Sequence, residues 1–282
     1  MMMEDDRRLD EVTFVAFDTE TTGLVAIAGK LIEVGAVRFR ADGQELETFV
    51  QLIDPQDPIP AEAQRVHGIT DAMVRGQPTV EHVLPSFLDF LGSSDTILLA
   101  HNARFDVDFL GVSMLRVGLD FPGHRIVDTL PLAQTRGPLL SNYKLTSVAA
   151  ALRATQREQH RALADARLVK YVFLALLRQM SDTATVLDLS RLAAPLTFHD
   201  SQVSKIQPPP AFRDLAIALE EGCAIAMVYA AGARHTRPRM VTPRVLLEWN
   251  GTAYLAAYCH IDRKDKMFRL DRIRRCWLSG SG

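Results

Sequence analysis

Hydrophobic positions fall into two regimes along the chain. In the first, short apolar runs alternate with amphipathic stretches. Phe14–Phe17, Leu31–Arg40 and Glu47–Ile53 are β-branched or aromatic runs and predict three strands. Val80, Val83, Leu84, Phe87, Leu88 and Leu91 recur at helical spacing, and Pro85 predicts that the regular helix starts near it. Thr96–Ala100 predicts a fourth strand, with a helix from about Arg104 to Val117 behind it. Ile126 and Val127 lead into Asp128, a good N-cap, with Pro131 in the first turn of the next helix. Leu145, Val148, Ala149 and Leu152 mark a further helix, and Ala164–Met180 a long apolar one. Strands interleaved with helices predict an α/β fold, a sheet layered with helices.

After Met180 the pattern loosens. Residues 181–210 carry Ser, Thr and Asp and close on Pro208, Pro209 and Pro210, the chemistry of a linker that is extended at its end. A short helix around Leu215, Ala218 and Leu219 is closed by Gly222. Strand-like runs follow at Ala224–Tyr229, Met240–Trp249, Thr252–Cys259 and Met267–Ile273, with Asn250-Gly251 a type I′ hairpin between the middle two. These predict a small all-β, barrel-like module. The expected organisation is a flexible N-terminal segment 1–11, an α/β domain 12–180, a linker 181–210 and a β domain 211–282.

With 282 residues, 48% hydrophobic and 23% charged, the chain has ample length for a buried core. Its longest uncharged apolar stretch, 223–233, is far short of the ~18–20 residues that cross a bilayer. Met1–Asp10 has no apolar h-region, so neither a membrane span nor a secretory leader is expected. Cys223, Cys259 and Cys276 form no CxxC pair and suit a reducing, cytoplasmic setting. The net charge of −2 hides an asymmetry: 232–276 holds eleven Lys or Arg against four acids, +7, leaving −9 on the rest. A basic tail on an acidic body suggests one part that attracts polyanions and one that collects carboxylates, although a plain solvated basic surface has the same composition.

Asp18-Thr19-Glu20 ends the first strand, and period-two geometry puts both carboxylates on one face. Alone, such a pair is ordinary at a solvated strand end. His101-Asn102-Ala103-Arg104-Phe105-Asp106 follows the fourth strand, and Asp106 shares a helical face with Phe109 and Leu110, so it points inward as a cap or a metal ligand. Asp108, about 200° round, is expected to be solvated. His160 and Asp165 cannot share a face of one continuous helix, but with His160 on the preceding loop and Asp165 in the first turn both can face one cavity. Four inward carboxylates and a histidine make a hard-oxygen set suited to Mg²⁺ or Mn²⁺. They are the parts that two-metal hydrolysis of a phosphodiester requires.

Phe17-Asp18-Thr19-Glu20-Thr21-Thr22-Gly23-Leu24, His101 to Asp106, and His160-Arg161-Ala162-Leu163-Ala164-Asp165 together resemble the three exonuclease motifs of the DEDDh family, which includes the proofreading subunit of bacterial replicative polymerases. The resemblance runs from about Val12 to Leu177 and takes in Leu31–Val37 and Val66–Thr70. It implies a ribonuclease H-like mixed sheet with flanking helices and 3′→5′ removal of nucleoside monophosphates with two Mg²⁺ or Mn²⁺ ions. Asp18, Glu20, Asp106 and Asp165 become the metal ligands and His160 the general base. Thr22, Gly23 and Leu24, then His67, Asn102 and Phe105, become candidates for binding the 3′ end. Single-stranded nucleic acid 3′ ends are the expected substrate, DNA ahead of RNA, and a proofreading role would need a polymerase or repair partner. Asp128 is expected to cap a helix, Glu33 to bond structurally, His101 to position its loop, and His124 and His199 to lie at the surface.

The tail resembles a WYL domain at Pro243, Arg244, Leu246, Ala253-Tyr254-Leu255, Cys259 and Phe268–Ile273, with alanine at 253 in place of the naming tryptophan. That resemblance implies a β-barrel sensor of nucleic acid or a nucleotide ligand, with Tyr229, Arg239, Tyr254, Arg269 and Arg272 lining a polyanion pocket. The alternative is that the tyrosines are core and the arginines a solvated rim. A regulatory binding protein with a vestigial nuclease fold is the competing expectation, and the intact set of five catalytic positions argues against it.

Overall fold

The structure, a computed structural model, describes residues 6–154, 160–230 and 237–279. Met1–Asp5 of the N-terminal segment and Arg234 of the basic stretch lie outside the described residues. The chain divides into two compact units, Met1–Leu110 with Phe121–Asp200, and Gly111–Asp120 with Ser201–Gly282.

The first unit is built on a mixed sheet of β1 (Thr13–Thr21), β2 (Leu31–Arg40), β3 (Glu45–Leu52), β4 (Ile97–Ala100) and β5 (Arg125–Asp128), in the order β3-β2-β1-β4-β5. The first three strands run antiparallel, and β4 and β5 are parallel to β1. Its helices are α1 (Ala61–His67), α2 (Asp71–Val74), α3 (Val80–Leu91), the start of α4 (Arg104–Arg116), α5 (Thr129–Arg136), α6 (Leu145–Ala151), α7 (Ala162–Leu177) and α8 (Val186–Leu192). Central β1 is apolar on both faces because both are covered. Phe14 meets Phe39 and, on α7, Phe173, while Phe17 faces Phe87 of α3. The sheet therefore lies between α7 on one side and α3 on the other.

The structure departs from the sequence pattern in identifiable places. Helix α3 starts at Val80 with Pro85 inside it. The proline ring is on the solvent side, and burial of Val83, Leu84, Phe87, Phe90 and Leu91 compensates for the missing N–H. Residues 181–200, expected as linker, carry α8. A capping box between Thr185 and Asp188 starts it, and Val186, Leu189 and Ala193 join the core around Phe14 and Phe173. Residues 6–11, expected to be flexible, are fastened there: Leu9 is buried, its N–H bonds the Ala184 carbonyl, and the Arg7 carbonyl accepts from Val186. Asp108, expected in solvent, is 7% exposed, because α4 is enclosed on every face from Asp106 to Met114. His124, expected at the surface, is 3% exposed beneath the Leu91–Ser93 backbone, and burial pushes its pKa down. His199 is exposed, as expected.

The second unit is an all-antiparallel sheet with the end of α4 and with α9 (Arg213–Glu221), ended by Gly222 in the left-handed region. β7 (Ile225–Tyr229), β8 (Arg239–Trp249), β9 (Thr252–Cys259), β10 (Lys264–Arg269) and β11 (Ile273–Leu278) run in the order β10-β9-β8-β7-β11, and β6 (Val203–Lys205) pairs with the far end of β8. The single strand expected over Met267–Ile273 is two strands broken by a 3-10 turn at Leu270–Arg272 that carries the chain from one end of the sheet to the other. Asn250 and Gly251 both have positive φ, the signature of the expected type I′ turn. Among the described residues no helix is long and apolar enough to cross a membrane.

Candidate active site

Asp18 and Glu20 continue the face of β1 that α7 covers. In register, Asp18 lies opposite Gly35 and Glu20 opposite Glu33 on β2. A Cβ on Gly35 would collide with the backbone of Ala162 and Leu163, so the start of α7 presses directly on the strand there. That approach delivers Asp165, in the first turn of α7, to the pair from β1. Oxygens of Asp18, Glu20 and Asp165 lie within 4.8 Å of one another. Asp106 enters from the first turn of α4, where its Oδ1 accepts from the Thr19 backbone N–H (3.0 Å) and hydroxyl (2.7 Å). Thr19, between the two β1 carboxylates, was not legible as a site residue, because its partner is 87 residues away.

The electrostatics follow from that crowding. Burial, then Asp106, Glu20 and Asp165, push the Asp18 carboxyl well above the usual carboxylate range. Burial with Asp165 and Glu33 pushes Glu20 up to about 8. Burial pushes Asp106 up to about 7 against the opposing pull of its bonds from Thr19. A group of carboxylates in this state needs protons or a cation. Oxygen-only donors favour a hard divalent ion over zinc, which takes nitrogen and sulfur.

Around the cluster, His160 is exposed, two residues before α7, with φ of 42°. It stands outside the acidic cluster, on the loop the spacing required. Behind it Arg161 forks onto Glu33, which is fully buried. Glu33 also accepts from the Ala162 N–H, the structural bonding expected of it. Thr22 closes the loop after β1 reciprocally with Lys30, each backbone N–H donating to the other residue (2.9 Å both ways). The Gly23 carbonyl accepts from Thr21, and Leu24 projects 87% exposed. Phe105 packs on Phe109, ring centroids 4.9 Å apart. Asn102 is exposed with positive φ, its N–H bound to Asp128, which also takes the N–H groups of Ala103 and Leu130 as the α5 cap. His101 pairs with Thr129 and the Tyr143 carbonyl and so holds that loop. His67 is buried, and its Nδ1 accepts the Ile69 N–H at 2.9 Å, so it fastens its own turn rather than facing solvent.

In the second unit the five expected pocket residues come from neighbouring strands and the turn after β10. Tyr254 pairs in register with Arg269, and the Tyr229 hydroxyl accepts the Arg269 N–H at 3.2 Å while its ring meets Phe268 edge-on. Arg272 is exposed on the adjoining turn. Arg239 pairs in register with Met227, two residues from Tyr229 along β7, and its Nη1 lies on Asp262 (2.8 Å) and near Cys259. Arg269 is itself forked onto Asp271. Pattern reading missed Trp277 on β11, which has the Arg275 guanidinium 5.7 Å from its ring centroid.

Comparison with known proteins places these observations. The exonuclease family pattern (RNase_T) matches residues 15–173, and a WYL domain pattern matches 210–277. A DNA polymerase III PolC-type protein of Clostridium perfringens is 36% identical over 179 residues, covering 64% of this chain but only 12% of the relative. One from Caldanaerobacter subterraneus is 34% identical over 196 residues, covering 70% of this chain and 14% of the relative. The chain thus spans about an eighth of the length of these curated relatives. Among solved structures, the nuclease domain of 3′hExo, a DEDDh family member bound to rAMP, superposes with a TM-score of 0.54 at 18% identity, covering 64% of this chain and 98% of that one. Exonuclease I superposes with a TM-score of 0.54 at 17% identity, covering 88% and 55%. The ribonuclease H-like fold of the first unit and the antiparallel sheet of the second stand as expected.

Proposed function

Because the chain belongs to the exonuclease family, we propose that it is a metal-dependent 3′→5′ exonuclease that removes nucleoside monophosphates from nucleic acid, with single-stranded DNA 3′ ends as its main substrate. The observation that carries this reading is the set of Asp18, Glu20 and Asp165 within 4.8 Å, with Asp106 tied to the same strand through Thr19. These four carboxylates would hold two Mg²⁺ or Mn²⁺ ions, which when bound lower the pKa of water and stabilise charge on phosphate oxygens. The chain's own residues do the rest. His160, at the rim, takes the proton of the attacking water. Leu24 offers an apolar surface beside the cluster on which the terminal base rests, held out by the Thr22–Lys30 closure. Thr22, Gly23, Asn102 and Phe105 surround the sugar, and His67 shapes the turn that supports them.

The second unit contributes a nucleic-acid or nucleotide contact at Tyr229, Arg239, Tyr254, Arg269 and Arg272. Aromatic faces beside guanidinium groups suit stacked bases and phosphates. The resemblance to PolC-type proteins supports work alongside a polymerase or in repair. The test is a time course on 5′-labelled single-stranded DNA and RNA with Mg²⁺, Mn²⁺ or EDTA. A metal-dependent ladder shortening from the 3′ end is the expected result, faster on DNA. Faster loss of RNA makes the enzyme an exoribonuclease, and binding of either without cleavage overturns the reading in favour of a regulatory protein.

A further inference from the structure

Glu33 lies one strand from the cluster, opposite Glu20, yet outside the group that can share a cation. It is fully buried and accepts four hydrogen bonds: Arg161 Nε at 3.1 and 3.0 Å, Arg161 Nη2 at 2.5 Å, and the Ala162 N–H at 2.9 Å. Arg161 is the N-cap residue of α7 and has no side-chain cap of its own, so a carboxylate from another strand does the capping. The residue immediately before this doubly held point is His160, in a left-handed backbone conformation. A non-glycine residue keeps such a conformation only where its flanks over-determine it.

We propose that the Glu33–Arg161 fork is a positioning device for His160, holding the residue after it by side chain and the helix start by backbone so that the imidazole is aimed at the cluster. The inference rests on the reading of His160 as proton acceptor. An anchor for α7 alone would not need this arrangement, since a Ser or Asp at the N-cap satisfies the same donors without another buried charge beside the ligands. Arg161 also occupies both Glu33 oxygens, which keeps a fifth carboxylate from joining the cluster. Glu33 and Arg161 are positioning residues and touch no reacting atom.

The test compares wild-type chain with R161A, R161K, H160A and the R161A/H160A pair. Steady-state rates on 5′-labelled DNA are measured across a Mg²⁺ titration, with a thermal melt of each variant. R161A is expected to lower kcat by about 10–100-fold with KM and the half-saturating Mg²⁺ concentration within about threefold of wild type. In the H160A background, removing Arg161 is expected to cost less than about twofold, because the device acts through His160. R161K should recover part of the loss, since an ammonium cannot fork onto two oxygens. Wild-type kcat in R161A, losses that multiply fully with those of H160A, or a loss that follows the Mg²⁺ midpoint each overturn the proposal. R161A leaves the buried Glu33 carboxylate with the Ala162 N–H as its remaining donor among the described residues, so the melt of each variant and R161K, which keeps a cation beside Glu33, separate a positioning loss from a loss of fold. Wild-type chain that shows no metal-dependent shortening overturns the nuclease reading itself, an outcome separate from a failure of the fork.

Discussion

The two units treat charge in opposite ways. The first brings like charges together: Asp18, Glu20 and Asp165 share a space within 4.8 Å, and the neighbouring guanidinium, Arg161, is committed to Glu33. The second pairs its charges locally. Arg239 and Lys266 both meet Asp262, Arg244 meets Asp265 and Arg269 meets Asp271, so three of the four acids in the basic stretch each neutralise a neighbour. A charge count alone overstates the pull of the second unit on a polyanion and understates the demand of the first for a cation. Unbalanced charge held by burial points to a ligand; balanced charge at a surface is mostly ordinary, since exposed pairs are worth only ~0–1 kcal/mol.

The largest effect expected from breaking this contrast is in the first unit. Asp18→Ala removes a carboxylate from the cluster and should bring cleavage to the detection limit, while oligonucleotide binding, followed by filter retention, should persist if the second unit carries it. Cleavage at wild-type rate would remove Asp18 from the metal site. His160→Ala should cost on the order of 10²–10⁴ in rate with metal affinity largely kept, as read by calorimetric titration of Mg²⁺. An unchanged rate would take His160 out of the mechanism.

Crowding also sets a stability profile. Glu20, pushed up to about 8, and Asp106, to about 7, hold protons in the folded chain that the unfolded chain releases near its usual carboxylate range. The folded state therefore binds more protons between about pH 5 and 8, and stability without metal falls as pH rises through that window. In EDTA the Tm should drop from pH 5 to pH 8, and Mg²⁺ at pH 8 should restore roughly 2–8 °C. A Tm that climbs with pH in EDTA contradicts the electrostatic account.

Smaller effects belong to the second unit. Arg269→Ala with Arg272→Ala should weaken single-strand binding and reduce its log–log salt slope by ~1–2. An unaltered slope moves the contact elsewhere, with Arg275 and Trp277 the next residues to substitute. Asp271→Asn, which releases Arg269 from its fork, should strengthen low-salt binding by a few-fold, about one added phosphate contact. No change there would mean that Arg269 serves the turn alone.

Much of the candidate site was legible because its carboxylates obey local rules. Period two puts Asp18 and Glu20 on one face, and the helical spacing of Asp106, Phe109 and Leu110 turns all three inward. What escaped pattern reading depends on partners distant in sequence. Thr19 matters through Asp106, and the structural bonding expected of Glu33 finds its partner, Arg161, 128 residues on. Asp108 misleads because helical periodicity assumes one wet face, and α4 has none there. Helix α8 was hidden by a polar composition that reads as linker, although Thr185 and Asp188 stood at capping-box spacing all along.

Gly35 gives one further lesson, about how inactivity is recognised. Its missing methyl group sets the thickness of the layer between strand and helix where the Asp18, Glu20 and Asp165 carboxylates converge. Alanine there would act as a wedge beneath the start of α7 and lift Asp165 away while leaving each acidic residue in the chain. A homologous chain with alanine there is expected to keep every motif and still be silent. The more discriminating query asks whether the position across from the first aspartate still carries no side chain at all.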